Sequence, residues 1–279
     1  MSRIKIMING LPGNMAVCVA KNLLNDERFV LINHSLTGPE IEQTEIEIYS
    51  ISVHLVKPDM RDQVIQKIKE AEGPFICADY THPTAVNSNA DFYCKHQLPF
   101  VMGTTGGDRE NLLETVRQSA VSAVIAPNMA KQIVGFQAMM EYAANTFPDL
   151  FEGYQLEIVE SHQHGKADTS GTAKAMVSYF NKLGLKFTTD EIIKVRDPEI
   201  QKNELGVPEE YLGGHGWHTY RLTSADSSVR FVFKHNVNAR EIYAQGTLDA
   251  LAYLHGKVQG GIKGEVFSMI DVLKGRGNK

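Results

Sequence analysis

Short apolar runs alternate with helical segments along residues 1–129 of this 279-residue chain. The first run, at residues 3–9 (RIKIMIN), leads into a glycine turn and a helical segment, and the second run follows at residues 28–34. Parallel strands need long crossover connections of this kind, and such crossovers are right-handed. The alternation therefore predicts an α/β fold with a Rossmann-like, doubly wound parallel sheet.

The pattern changes after Met129. A long helical segment comes first, and a strand-like run at 154–162 precedes a helix that is predicted to begin at Ser170. Further strands are predicted at 217–224, 229–237 and 241–248, and a final helix at 265–273. This region predicts an α+β domain with an open mixed sheet.

A chain of 279 residues is long enough for two domains. We expect a dinucleotide-binding domain at residues 1–129 with 244–279, and a substrate-binding and oligomerisation domain at 130–243. Exposed strands in the second domain favour assembly through their sheets.

The charge and cysteine content exclude several classes of protein. The formal net charge is −5 and no block of like charges occurs, so neither nucleic acid nor an acidic membrane is an expected partner. The chain has 3 cysteines, an odd number, and Cys18, Cys77 and Cys94 lie in apolar surroundings. Buried thiols are therefore expected instead of a disulfide framework or a zinc knuckle.

The N-terminal segment MSRIKIMING enters a strand directly and lacks the apolar core of a signal peptide. No apolar run reaches the roughly 18 residues that a membrane span needs. We expect a cytoplasmic protein, or a plastid protein if a transit peptide has been removed.

The turn NGLPGNMA follows the first predicted strand and opens a helix. Gly10 and Gly13 would allow a tight turn and the close approach of a pyrophosphate to the helix N-terminus. The spacing is G-x-x-G instead of G-x-G-x-x-G, and Ala16 holds the later small position. A dinucleotide site is favoured over a plain strand–helix turn because the turn lies in a βαβ context.

The end of the second predicted strand, INHSLTG, carries no acidic residue and no Arg or Lys. An acidic residue there would bind the ribose 2′-OH of NAD. Asn14, His34, Ser35 and Thr37 could instead take a 2′-phosphate by hydrogen bonds. NADPH is therefore favoured over NADH, and both stay open.

Two more predicted strands end in polar turns, ADYTHP and MGTTGGD. Ligands of doubly wound sheets bind outside the carboxyl ends of the strands, where a nicotinamide ribose would pass. The alternative is a structural turn with Asp108 as N-cap. The candidate cofactor residues of these turns are Asp79, Thr81, Gly103, Thr104 and Thr105.

Residues 160–173 (ESHQHGKADTSGTA) concentrate polar and titratable groups. Free N–H groups at a helix start near Ser170 would bind a carboxylate. Lys166 would add positive charge, and His162 is suited to proton transfer near neutral pH. The stretch predicts a site that holds a dianionic acid and protonates it.

A metal site of Glu160, His162, His164 and Asp168 is the alternative for this stretch. No partner motif accompanies it, and Lys166 would repel a cation, so no metal is expected. Asp168 is expected to brace Lys166 or the loop backbone.

Longer motifs carry a resemblance to a known family: NGLPGNM, ADYTHP, FVMGTTGGDR, IAPNMAKQ, EIVESHQHGKADTSGTAKA, GVPEEYLGGHGWHTYRL and FKHNVNAREIYAQGTLDAL. The chain resembles the dihydrodipicolinate reductases of diaminopimelate and lysine synthesis over nearly its whole length. It is most similar to the plant-type branch, in which Gln163 stands where bacterial forms have a second histidine.

The resemblance implies roles for the matching residues. His162 would be the proton donor, with Lys166 as the lysine that supports binding and protonation. The substrate would contact Gln163, Ser170, Gly171, Thr172 and Arg240. The pyrophosphate would lie on Gly10, Gly13, Asn14 and Met15, and the nicotinamide side near Gly103, Thr104, Thr105 and Asn128. The resemblance also implies NAD(P)H, a small dicarboxylate substrate and a homotetramer.

Two other functions compete with this interpretation. A reductase fold can serve as a non-catalytic binding or assembly protein, which loss of His162 or Lys166 would favour. An aspartate-semialdehyde dehydrogenase would need a nucleophilic cysteine in a polar, electropositive setting. Both His162 and Lys166 are present, and all three cysteines lie in apolar stretches of the nucleotide half.

Overall fold

The computed structural model describes residues 3–275, which divide into two compact units. The first unit comprises the described residues up to Val134 and from Glu241 onward, and the second comprises Gly135–Arg240. No helix in the described part of the chain is long and apolar enough to cross a membrane. The roles expected for the two units remain predictions.

Nine strands of the described chain lie in the first unit, together with alternating helices. The strands are β1 (Ile4–Asn9), β2 (Phe29–Leu31), β3 (His34–Leu36), β4 (Glu45–Ile48), β5 (Ile51–Val56), β6 (Ile76–Asp79), β7 (Phe100–Met102), β8 (Ala123–Ile125) and, after the second unit in the sequence, β13 (Val266–Phe267). The helices are α1 (Asn14–Leu24), α2 (Arg61–Glu72), α3 (Val86–Lys95), α4 (Arg109–Arg117), α8 (Glu241–Gln259) and α9 (Met269–Gly275).

Six of these strands form one parallel sheet in the order β13-β8-β7-β6-β1-β2. Apolar residues of the sheet are buried in two clusters with helices, which confirms the predicted doubly wound, Rossmann-like fold. The register aligns Asn9, Asp79, Met102 and Ile125 across four adjacent strands. The turns that follow these residues therefore leave the sheet at the same edge.

The predicted second strand at 28–34 is divided between two sheets. β2 ends at Leu31, and β3 pairs with β5 in a separate sheet of order β3-β5-β4. The chain turns away because the backbone N–H of Leu36 donates to Asn9 Oδ1, and Ser35 and Thr37 bond to the backbone of Leu11. Strands β4 and β5 were not predicted from the sequence.

The second unit is built on a four-stranded mixed sheet in the order β10-β9-β11-β12. Its strands are β9 (Gln155–His162), β10 (Ile193–Val195), β11 (Gly216–Thr223) and β12 (Arg230–Val237), and only β9 and β10 pair in parallel. Helix α5 (Lys131–Thr146) leads into this unit, which also contains α6 (Gly171–Lys182) and α7 (Pro198–Asn203). The predicted open mixed sheet is confirmed.

The strand predicted at 241–248 is wrong, because these residues begin α8. Alternating apolar residues suggested a strand, but the buried positions Ala244, Leu248 and Leu251 recur at helical spacing and pack into the core of the first unit. Gly246 lies against the carbonyl oxygen of Met129, which a Cβ would overlap. The final helix also begins later than predicted, since β13 precedes α9.

Candidate active site

The glycine turn joins β1 to α1. Gly10 has φ +101°, a conformation that side-chain-bearing residues rarely adopt, and a Cβ there would overlap the carbonyl oxygen of Tyr80. Gly13 is the N-cap of α1, and no side chain among the described residues caps the helix there. Gly13 and Asn14 are exposed and Met15 is half-buried. Uncapped N–H groups at an exposed helix start suit a pyrophosphate, so the turn fits the predicted nucleotide.

Ser35 and Thr37 were candidates for hydrogen bonds to a 2′-phosphate, but their side chains are engaged within the protein. The backbone N–H of Leu11 donates to Ser35 Oγ over 3.2 Å, and Thr37 Oγ1 donates to the Leu11 carbonyl over 2.8 Å. Both side chains are buried and hold the glycine turn in place. Of the four candidates for a 2′-phosphate, this leaves the exposed Asn14 and the half-buried His34.

Asp79, at the end of β6, is fully buried and joins the neighbouring turns. Its carboxylate accepts hydrogen bonds from four side chains, over distances of 2.6–3.0 Å: Thr104 (2.6 Å), Tyr93 (2.7 Å), Thr81 (2.8 Å) and Asn89 (3.0 Å). Asp79 therefore lies behind the predicted cofactor surface, where it orients Thr81 and Thr104. A direct contact of its carboxylate with the cofactor stays a prediction that this network does not favour.

The remaining cofactor candidates lie on the loops after β7 and β8. Gly103 packs against the ring of Tyr80, which a Cβ would overlap. Thr105 is exposed, whereas Gly103 and Asn128 are half-buried. Asn128 Oδ1 accepts from the backbone N–H of Ala130 over 2.9 Å, so its amide nitrogen is the group that remains to meet a ligand. Asp108 is the N-cap of α4, and its side chain accepts a hydrogen bond from the backbone N–H of Asn111. This agrees with the structural role that was the alternative for this turn.

In the second unit, His162 ends β9 opposite Gly216 of β11. A Cβ on Gly216 would lie 2.9 Å from His162 Cε1, so the absence of a side chain there makes room for the imidazole. Gln201 donates to the His162 carbonyl over 2.7 Å and fixes the backbone. The His162 side chain is 13% exposed, and its Nε2 has no hydrogen-bond partner among residues 3–275.

The pKa of His162 is lowered to about 4, first by burial and then by the neighbouring His218, while Glu160 opposes the shift. The sequence suggested a histidine with a pKa near neutrality, and the buried ring departs from that expectation, while the role of His162 in proton transfer stays a prediction. The imidazole is neutral at pH 7 because a buried cation beside another histidine is unfavourable. A bound anion would have to raise this pKa before His162 could donate a proton.

Glu160 is the buried charge behind this histidine. It is fully buried and forms an ion pair with the guanidinium of Arg196, through Oε1. Its Oε2 accepts from the backbone N–H of Ser170 over 3.1 Å and lies 3.7 Å from His218 Nε2. Burial alone would raise the pKa of the Glu160 carboxyl, but hydrogen bonds from His218, Arg196 and Ser170 lower it well below its usual range.

Lys166 lies on the loop between β9 and α6. Its Nζ is 2.7 Å from Asp168 Oδ1, which confirms the expected bracing, and the Arg196 side chain donates to its carbonyl over 2.7 Å. The Asp168 carboxyl has a lowered pKa because it accepts a hydrogen bond from Lys166. Since Asp168 is exposed, this pair is weak and leaves Lys166 available to an anionic ligand.

Ser170 is the N-cap of α6, in agreement with the helix start predicted near Ser170. Its Oγ accepts from the backbone N–H of Ala173 over 3.1 Å, while Gly171 is exposed and Thr172 half-buried. Gln163 is half-buried beside His162. Arg240 is exposed, and its Nη1 would lie 3.8 Å from a Cβ on Gly214, so it is placed beside the loop that precedes β11.

Ligand atoms of Glu160, His162 and His218 lie within 4.8 Å of one another. This group differs from the metal set considered from the sequence, because His164 and Asp168 are not part of it. Arg196 and the Ser170 N–H already occupy the Glu160 oxygens, and a cation would have to compete with that guanidinium. The chemistry of the group therefore favours a hydrogen-bond network, and the absence of a metal stays a prediction.

Sequence reasoning missed Arg196, Gln201 and His218 as parts of this site. His218 and Tyr220 alternate along β11, and the register pairs His218 directly with Glu160. The sequence GGHGWHTYRL contains this alternation, but only the pairing of β11 with β9 shows that His218 belongs beside Glu160. Arg196 and Gln201 follow β10 in a segment without any motif.

A Rossmann-like unit with a glycine turn, and a mixed-sheet unit that carries His162, Lys166 and Ser170 in one loop region, are the features expected of a two-domain, nucleotide-dependent reductase. The family models for the N-terminus and the C-terminus of dihydrodipicolinate reductase match residues 4–129 and 133–273. The chain belongs to the dihydrodipicolinate reductase family.

The chain is 46% identical over 269 residues to the probable 4-hydroxy-tetrahydrodipicolinate reductase 1, chloroplastic, of Oryza sativa subsp. japonica, covering 96% of this chain and 78% of that protein. It is 45% identical over 272 residues to 4-hydroxy-tetrahydrodipicolinate reductase 1, chloroplastic, of Arabidopsis thaliana, covering 97% and 78%. These relatives confirm the similarity to the plant-type branch.

Among solved structures, the fold is similar to the dipicolinate-bound dihydrodipicolinate reductase from Paenisporosarcina sp. TG-14. The TM-score is 0.66 at 18% identity, and the match covers 96% of this chain and 98% of that one. At this identity the likeness establishes a shared fold.

Proposed function

We propose that this chain catalyses the NAD(P)H-dependent reduction of 4-hydroxy-tetrahydrodipicolinate to tetrahydrodipicolinate, a step of diaminopimelate and lysine biosynthesis. The observation that carries the proposal is the cluster of His162, Lys166 and the N-terminus of α6 in one loop region of a chain that belongs to this reductase family. The names of the rice and Arabidopsis relatives supply the substrate.

Positive and N–H groups of the second unit bind the two carboxylates. The N-terminus of α6, at Ser170 and Gly171, presents backbone N–H groups and the positive end of the helix dipole. Lys166 adds a full positive charge, and Arg240 is the second basic side chain that we assign to the substrate. Gln163 and Thr172 complete the polar lining.

In the net reaction the 4-hydroxyl of the substrate leaves as water, while a hydride and a proton are added. His162 supplies the proton, which the reduced substrate takes up on carbon. Its imidazole is neutral in the free protein because burial lowers its pKa to about 4. A dianion bound beside it favours the imidazolium, and the Glu160 carboxylate 4.0 Å from Nε2 acts in the same direction. The proton that His162 takes up when the substrate binds is then available for transfer.

The nicotinamide nucleotide, when bound, supplies the hydride. Its pyrophosphate is assigned to Gly10, Gly13, Asn14 and Met15, and its nicotinamide half to Thr81, Gly103, Thr104, Thr105 and Asn128. We assign NADPH as the preferred form, since no carboxylate stands at the end of β2 to bind a 2′-hydroxyl. Asn14 and His34 are the side chains that would contact a 2′-phosphate.

We also assign a homotetramer assembled through the sheet of the second unit. β12 is the last strand of that sheet, and its side chains Phe231 and Val232 are 42% and 52% exposed. The names of the plant relatives place those proteins in the chloroplast, in keeping with the plastid alternative. Light scattering after size-exclusion chromatography tests the assembly: a mass near 31.0 kDa, that of one chain, would contradict it.

The test of the reaction is oxidation of NADPH, and separately of NADH, followed at 340 nm, the absorption band of the reduced nicotinamide. A synthase makes the substrate in situ from pyruvate and aspartate semialdehyde. Oxidation that depends on the synthase supports the reductase and ranks the two nucleotides. NADPH binding without oxidation would favour the non-catalytic alternative.

The cysteine surroundings disfavour an aspartate-semialdehyde dehydrogenase. Burial raises the pKa of the Cys77 thiol and of the Cys94 thiol, whereas a nucleophilic cysteine needs a lowered pKa. Cys18 is half-buried on α1. Activity that survives thiol alkylation would exclude this function.

A further inference from the structure

His218 is a buried side chain that the proposed chemistry does not use. It lies on β11 directly opposite Glu160 of β9, and it is 4% exposed. Its Nε2 is 2.8 Å from Ser170 Oγ and 3.7 Å from Glu160 Oε2. The side chain therefore connects a buried carboxylate to the hydroxyl that caps α6.

The carboxylate decides which nitrogen of His218 carries the proton. Glu160 remains ionised because Arg196 and the Ser170 N–H bind it, and a carboxylate next to Nε2 favours a proton on that nitrogen. The other ring nitrogen, Nδ1, is buried and has no hydrogen-bond partner among residues 3–275. An acceptor left unpaired there costs less than an N–H donor would, which supports the same tautomer.

This tautomer makes His218 a donor to Ser170 Oγ. The Ser170 oxygen also accepts from the N–H of Ala173, so both of its lone pairs are engaged. The hydroxyl hydrogen is then left for another acceptor, and a carboxylate, that of Glu160 or of a bound ligand, is the acceptor that the site favours. If Ser170 instead donated its hydroxyl hydrogen to His218, that hydrogen would not be available to a carboxylate.

We propose that His218, oriented by Glu160, is a positioning residue that keeps the Ser170 hydroxyl as a hydrogen-bond donor for a carboxylate of the substrate. This inference rests on the proposed function, since it assigns the second unit to a dicarboxylate. In this proposal His218 acts through Ser170 and not by contact with the reacting atoms.

The test is calorimetric titration of the full chain with dipicolinate, a planar dicarboxylate. His218→Leu should raise the Kd by about tenfold, because a hydrogen bond to a charged group is weakened. His218→Gln retains an N–H donor near the position of Nε2 and should bind close to wild type. The matched control is His235→Leu, because His235 stacks on His218 with ring centroids 4.7 Å apart but has no contact with Ser170 Oγ among the described residues.

A double-mutant cycle with Ser170→Ala separates positioning from packing. If His218 acts through Ser170, His218→Leu should change the Kd much less in the Ser170→Ala background than in the wild type. Additive losses, equal losses in His218→Leu and His235→Leu, or a wild-type Kd in His218→Leu would each overturn the inference. A wild-type chain that does not bind dipicolinate would instead overturn the proposed function, and the inference with it.

Discussion

The Oδ1 atom of Asp79 lies 2.6 Å from Oγ1 of Thr104, although 25 residues separate them in the chain. The pair connects the turn after β6 to the turn after β7, and the same oxygen accepts from Thr81 Oγ1 over 2.8 Å. Two side chains assigned to the cofactor are thus held by one buried carboxylate. We infer that Asp79 shapes the proposed nucleotide site from behind its surface.

Asp79→Asn should weaken NADPH binding several-fold and lower the free energy of unfolding by about 1–3 kcal/mol, because the new amide would turn a donor toward the donors of Asn89 and Tyr93. Titration of NADPH fluorescence and urea unfolding measure the two effects. Asp91→Asn is the control, since Asp91 is exposed and, within residues 3–275, accepts a single long bond of 3.4 Å from Thr115. Wild-type NADPH affinity in Asp79→Asn would contradict the positioning role.

His162→Ala should lower kcat by about 100-fold or more, because a positioned proton donor contributes on this scale. Steady-state assays with substrate made in situ give kcat, and circular dichroism checks the fold. His164→Ala is the matched control, because His164 is exposed and contacts the Arg196 carbonyl at 3.2 Å. Unchanged turnover in His162→Ala would remove this histidine from the mechanism.

Lys166→Ala should raise the KM of the dicarboxylate by about tenfold or more with a smaller change in kcat, because a charge-assisted contact to a carboxylate is lost. Lys202→Ala removes a lysine that pairs with the exposed Glu209 and should leave both constants unchanged. An unaltered KM in Lys166→Ala would count against its role in binding.

Dicarboxylate binding should be accompanied by proton uptake at pH 7. His162 is neutral in the free protein, with a pKa lowered to about 4, and a bound dianion raises that pKa. Dipicolinate titrated by calorimetry in buffers of different ionisation enthalpy reports the number of protons taken up. The uptake should disappear in His162→Ala, and zero uptake by the wild type would mean that His162 stays neutral in the complex.

Stability should fall as the pH drops from about 6.5, the histidine pKa of an unfolded chain, toward 4. The pKa values of His162 and His235 are lowered to about 4, in both cases mainly by burial. In this window the unfolded chain binds protons that the native protein does not, so the free energy of unfolding decreases by up to about 1.4 kcal/mol per pH unit for each histidine. Urea unfolding at pH 7, 6 and 5, values chosen to span roughly this window, measures the slope. The slope should be shallower in His235→Leu, and a pH-independent stability would contradict both shifts.

Local patterns were sufficient for much of the fold. The alternation of strands and helices predicted the doubly wound sheet. The start of α6 near Ser170 was also predicted, because a helix start depends on neighbours within a few residues. Local patterns failed at residues 241–248, whose apolar spacing suits both a strand and a helix. Burial against the core of the first unit selected the helix there.

The residues of the candidate site also fall into two groups, those that a short sequence segment predicts and those that only tertiary contacts assign. The sequence by itself determined the glycine turn, the His162–Lys166 loop and the helix start at Ser170, because each lies within one short segment. Only the tertiary structure decided that Ser35 and Thr37 hold the turn, that Asp79 is buried, and that His162 loses its proton at neutral pH. It also brought Arg196 and His218 to Glu160, since strand pairing and burial join residues that no sequence spacing relates.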